Sequence, residues 1–121
     1  MRPLFALSLL GLAAISASAA ACSSDSNGPP ASGDVSIVSG AATKTTTAFA
    51  PNPLTKGIAT PQVTWINNDG VTHRVVSDAP LFASGNLGNG ATFSFTFVAA
   101  GTYSYHCSIH PSMVGTITIT P

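Results

Sequence analysis

Gly101-Thr102-Tyr103-Ser104-Tyr105-His106-Cys107-Ser108-Ile109-His110-Pro111-Ser112-Met113 alternates between two faces as far as Cys107 and then stops alternating. Tyr103, Tyr105 and Cys107 share one face and Thr102, Ser104 and His106 the other, the period of a half-buried strand. With the tyrosines turned inward, the thiol faces inward at the end of the strand and His106 points away. Immediately after Met113, Ile117 and Ile119 alternate with Thr116, Thr118 and Thr120, so a second strand is expected at 114–120. The chain must therefore leave one strand, turn near Pro111 and enter the next within a few residues.

Working outward, further strand signals fall near 34–38, 43–49, 61–67, 73–78 and 91–97, each bounded by Gly, Pro, Asn or Asp. Phe93, Phe95 and Phe97 oppose Ser94 and Thr96, and Val63 and Trp65 oppose Gln62 and Thr64. One face in and one face out implies sheets packed face to face. The expected fold is all-β, an antiparallel Greek-key β-sandwich of about seven or eight strands over residues 34–121. In so small a domain, the three Phe and Trp65 should supply much of the apolar burial.

The 121 residues suffice for one domain. Residues 1–21 read as an export signal: Arg2, an apolar run from Leu4 to Ile15 that is too short for a membrane span, and small residues from Ser16 to Ala21. Ala19-Ala20-Ala21-Cys22 resembles a bacterial lipobox, with Ala19 where such motifs usually carry Leu, so Cys22 is the expected lipidation site. Cleavage after an Ala without lipidation is the alternative. Residues 22–33 are too polar and Pro-rich to pack and read as a flexible tether, its eleven residues after Cys22 spanning about 18 Å root-mean-square. The expected location is the periplasmic side of a bacterial membrane, lipid-anchored, on the outer membrane in a double-membraned cell.

Without the leader, Lys44, Lys56 and Arg74 stand against Asp25, Asp34, Asp69 and Asp78, three charges against four. No basic patch for nucleic acid exists, and partners must be recognised mainly by shape and apolar contact. A disulfide between Cys22 and Cys107 is the ordinary reading of two cysteines in an exported protein. It would require a leader cysteine to reach into a segment already crowded with His and Met.

Taken singly, Cys107 is a small buried hydrophobe, Met113 a core filler and His73 a structural histidine. Together they form C-x-x-H-x-x-M at the junction of two strands, with His73 just after the turn Asn67-Asn68-Asp69-Gly70. One thiolate, two imidazoles and one thioether form a donor set suited to copper.

These segments, with Phe82-Ala83-Ser84-Gly85 and Gly90, resemble the cupredoxins of the plastocyanin/azurin group, and the two-residue gap between His110 and Met113 is similar to the short amicyanin-type ligand loop. The resemblance implies one copper ion alternating between Cu(I) and Cu(II), with His73, Cys107 and His110 as equatorial ligands and Met113 as a weak axial one. It further implies a monomeric electron carrier that is not an enzyme and meets redox protein partners transiently. By the same analogy His110 is exposed at its ring edge within a docking patch of Ile109, Pro111, Leu81 and Phe82. Arg74 stands where plastocyanin has an Asn that braces the ligand loops, and Thr72 where it has Pro. In copper nitrite reductases a His beside the Cys serves a second, catalytic copper, but that site needs more histidines than the three present here. Copper delivery, storage or sensing is the alternative function; a sandwich with no metal is a third reading.

Overall fold

The computed structural model describes residues 32–121, so the expected leader, Cys22 and most of the tether lie outside the described residues. The eight strands are β1 (Val35–Ile37), β2 (Phe49–Ala50), β3 (Leu54–Gly57), β4 (Gln62–Asn67), β5 (Val75–Ser77), β6 (Thr92–Thr96), β7 (Gly101–Cys107) and β8 (Val114–Thr120). They build two four-stranded sheets, ordered β2-β1-β4-β6 and β3-β8-β7-β5.

The expected β-sandwich forms, and β7 and β8 begin and end where their alternation does. The expectation of wholly antiparallel sheets needs one correction: β1 runs parallel to β4, and β3 parallel to β8. Between β1 and β4 the chain crosses from one sheet to the other, so β4 returns beside β1 in the same direction.

Two local expectations also change. The strand expected at 43–49 is a 3-10 turn at Ala41–Thr43 followed by a loop, leaving only Phe49–Ala50 extended. The Asp69 carboxylate accepts the N–H groups of Gly40 and Ala41 at 3.1 and 3.2 Å and bends the chain there. Gly40, with φ at 71°, takes a left-handed conformation that suits glycine. Conversely, β3 forms directly after Pro53, which reads in sequence as a break. It is an edge strand paired only with β8, where a neighbouring prolyl nitrogen removes no bond from the ladder.

The core lies between the sheets, around Trp65 and Tyr105. Their ring centroids are 5.4 Å apart and nearly perpendicular, and Phe49 meets Tyr105 at 4.8 Å. Trp65 and Phe97 are buried, but Phe93 and Phe95 only partly so, because β6 is the edge of its sheet. Full burial of side chains of this size stabilises by about 1.5–3 kcal/mol each.

Register fixes what meets at the functional end. Val75 at the start of β5 pairs with Cys107 at the end of β7, and His106 pairs with Val114 at the start of β8. The segment carrying His73 and the 108–113 loop therefore emerge side by side.

Candidate metal centre

Cys107 is fully buried, its thiol facing inward as the alternation of β7 requires. The backbone N–H of Arg74 points at its sulfur from 3.4 Å. The loop that follows is pinned by its own main chain: Cys107 N–H donates to the Met113 carbonyl at 3.1 Å, Met113 N–H to the His110 carbonyl at 3.0 Å, and Ser108 N–H to the Arg74 carbonyl at 3.0 Å. The turn expected at Pro111 thus returns Met113, also fully buried, to the core beside Cys107.

His73 is held by a reciprocal pair of backbone bonds with Leu87, at 3.0 and 2.7 Å, and is likewise fully buried. Its Nε2 lies 2.8 Å from Asp69 Oδ2. The His73 hydrogen bond, helped by the Gly40 N–H, holds the Asp69 carboxyl below the usual carboxylate range, although burial pushes the other way. An ionised carboxylate can only accept, so His73 Nε2 carries the proton of this bond, and in the neutral imidazole the lone pair is then on Nδ1.

That lone pair faces the other donors. Cys107 Sγ is 3.7 Å from His73 Nδ1 and 3.9 Å from His110 Nδ1, and the nearest donor atoms of the three residues all lie within 4.8 Å of one another. A thiolate at about 2.3 Å and an imidazole at about 2.0 Å from one ion, at trigonal angles, would stand about 3.7 Å apart. The gathered residues fit a small transition-metal ion, and a thiolate with two imidazoles and a thioether suits copper. His110 is half-buried, its ring centroid 5.0 Å from that of His73, so the site reaches the surface on His110's side.

The other residues singled out in the sequence separate. His106 lies on the opposite face of β7, its Nδ1 2.6 Å from Asp78 Oδ1 and outside the donor cluster. Ile109 is 45% exposed and Pro111 is exposed, both beside His110. Phe82 is only 8% exposed, a correction to its place in the surface patch: its ring packs 4.9 Å from Phe95 and 5.4 Å from Trp65. Leu81 is exposed but sits in the 77–82 turn beside Ser104, three residues back along β7 from Cys107. Arg74 does brace the ligand loops, through its backbone, while its Nε donates to the Ser84 carbonyl at 2.9 Å.

Asp69 was legible only as part of a turn. Its four-residue spacing before His73 is the signal that could have singled it out. Exposed Val71, at the metal end between Asn67 and His73, was also missed.

The sequence profile of the copper binding proteins, plastocyanin/azurin family, matches residues 37–120. Amicyanin of Paracoccus denitrificans is 39% identical over an alignment 67 residues long that covers 47% of this chain and 47% of that protein, so the chain spans about half the length of this relative. The novel purple cupredoxin from Nitrosopumilus maritimus superposes with a TM-score of 0.66 at 33% identity, covering 71% of this chain and 97% of that one. The copper-containing nitrite reductase (NirK) from Thermus scotoductus SA-01 superposes with a TM-score of 0.59 at 27% identity, covering 72% of this chain but 22% of that one. With a family match over most of its length and a donor set of the right chemistry at the end of the right sandwich, the chain belongs to the plastocyanin/azurin family of copper-binding proteins, and its cofactor is one copper ion.

Proposed function

We propose that this domain is a type 1 copper protein that carries single electrons, with His73, Cys107 and His110 holding the ion and Met113 as its distant fourth ligand. The observation that carries this reading is the gathering of three donor atoms within 4.8 Å by main-chain register and loop bonds. Bound there, copper supplies a one-electron couple whose two oxidation states both tolerate this ligand set. The residues contribute rigidity: Cys107 is fixed by β7, His73 by Leu87, and Met113 by the turn from His110. Half-buried His110 would link a bound ion to the surface, and exposed Val71, Ile109 and Pro111 offer apolar area for a brief encounter.

Full burial of His73 and Cys107 favours retention of the ion over delivery to another protein. The two readings part experimentally. Electron self-exchange of the copper-loaded protein that is fast relative to copper loss to a chelator supports the carrier; rapid transfer of copper to an acceptor apoprotein with slow self-exchange supports delivery.

The same reading makes the protein a monomer and a carrier rather than a catalyst: two of its three histidines serve the one copper, which leaves His106 alone for any second site. It also places the domain on the periplasmic side of a membrane, tethered by residues 22–33 to a lipid on Cys22, which the layout of residues 1–33 supports. Mass spectrometry of the mature protein tests this: a diacylglycerol adduct on Cys22 supports the anchor, and an N-terminus at any other residue overturns it.

A further inference from the structure

We infer that Asp69 is the positioning residue of the metal centre: its buried carboxylate fixes the orientation and tautomer of His73 and, by adding a negative charge behind that ligand, favours Cu(II) over Cu(I). The inference rests on the proposed ligand role of His73 and extends it.

Asp69 is 5% exposed, and a carboxylate is rarely buried without partners. Here it is built into the site. One oxygen accepts the Gly40 N–H at 3.1 Å; the other accepts from Ala41 at 3.2 Å and lies 2.8 Å from His73 Nε2. Its own N–H donates to Asn67 Oδ1 at 2.8 Å, and its carbonyl accepts from Asn89 Nδ2 at 2.9 Å. Asn67 in turn donates to the Val71 and Leu87 carbonyls, both at 2.8 Å. The carboxylate thus ties together the 38–48 loop, the 67–73 turn and the segment at Leu87, which itself clamps His73.

Two consequences follow for the ligand. With Nε2–H committed to the carboxylate, His73 presents Nδ1 toward Cys107 before any ion arrives, and the ring cannot turn without breaking a buried charged bond. A fixed anion behind the imidazole also makes the ring a stronger donor and stabilises the more highly charged oxidation state, in a site where screening by water is weak.

Asp69→Asn tests this, because the amide oxygen can still accept from Nε2–H while the charge is gone. In the copper-loaded protein we expect one copper per chain and a retained visible band. The preference for Cu(II) over Cu(I) should fall about tenfold, which is a rise in potential of about 59 mV for one electron. Asp69→Glu, which restores the charge, should return most of that shift. A wild-type potential in Asp69→Asn, with the band intact, overturns the inference while leaving the copper-carrier reading in place; loss of the band from the wild-type protein would instead remove that reading. A second measurement needs no variant. In the wild-type Cu(I) protein, the His73 Nε2 proton should exchange with solvent far more slowly than the corresponding proton of His110, and equal exchange would overturn the assignment.

Discussion

The backbone N–H of Arg74 lies 3.4 Å from Cys107 Sγ, while the carbonyl of the same residue accepts the Ser108 N–H at 3.0 Å. One peptide segment therefore touches the thiolate and anchors the ligand loop, whatever side chain it carries. Arg74→Ala should keep full copper occupancy and an unshifted visible band. It should cost about 0.5–1.5 kcal/mol of stability from the lost bond to the Ser84 carbonyl. Denaturant unfolding and copper analysis together check this; loss of copper would show that the guanidinium itself supports the site.

Gly115 lies opposite Tyr105 in the β7–β8 ladder, directly under its ring. A Cβ there would stand 2.8 Å from Tyr105 Cε1 and closer still to Cζ and the hydroxyl. Tyr105 is fully buried and edge-on to Phe49 and Trp65, so its ring cannot shift without disturbing those contacts. Gly115→Ala should destabilise by about 1–3 kcal/mol, seen as a lower denaturant midpoint with an unchanged slope. Since Tyr105 is two residues from Cys107 on the same strand, the visible band should shift as well. An unperturbed midpoint would contradict the packing described.

Met113 is fully buried, so its sulfur could be mere filling. Leu has similar volume, and Met113→Leu should cost less than about 1.5 kcal/mol and keep copper bound. Removal of a weak donor disfavours Cu(II), so the reduction potential should rise. Voltammetry decides between ligand and filler: an unchanged potential assigns Met113 to packing alone.

Much of this was legible in residues 101–120, because β7 and β8 obey a strict two-residue period and carry the donors at their junction. The inward thiol and the outward His106 follow from that period alone. What was not legible depends on long-range hydrogen bonds. The bend at 40–43 exists because Asp69 reaches back about thirty residues to Gly40 and Ala41, and nothing within 43–49 announces it. Phe82 was placed in the surface patch by analogy alone, yet Trp65 and Phe95 enclose it. The role of Asp69 itself was hidden because an Asp before a Gly reads as turn chemistry.

Three preset donors and a thioether are expected to hold one copper as a reversible one-electron site. The visible absorption spectrum of the copper-loaded protein, titrated with reductant and then reoxidised, tests it most directly. The expected result is one copper per chain and an intense thiolate-to-copper band that bleaches and returns, and that Cys107→Ser abolishes. A protein that binds copper without such a band, or whose Cys107→Ser variant gives the same spectrum, would contradict it.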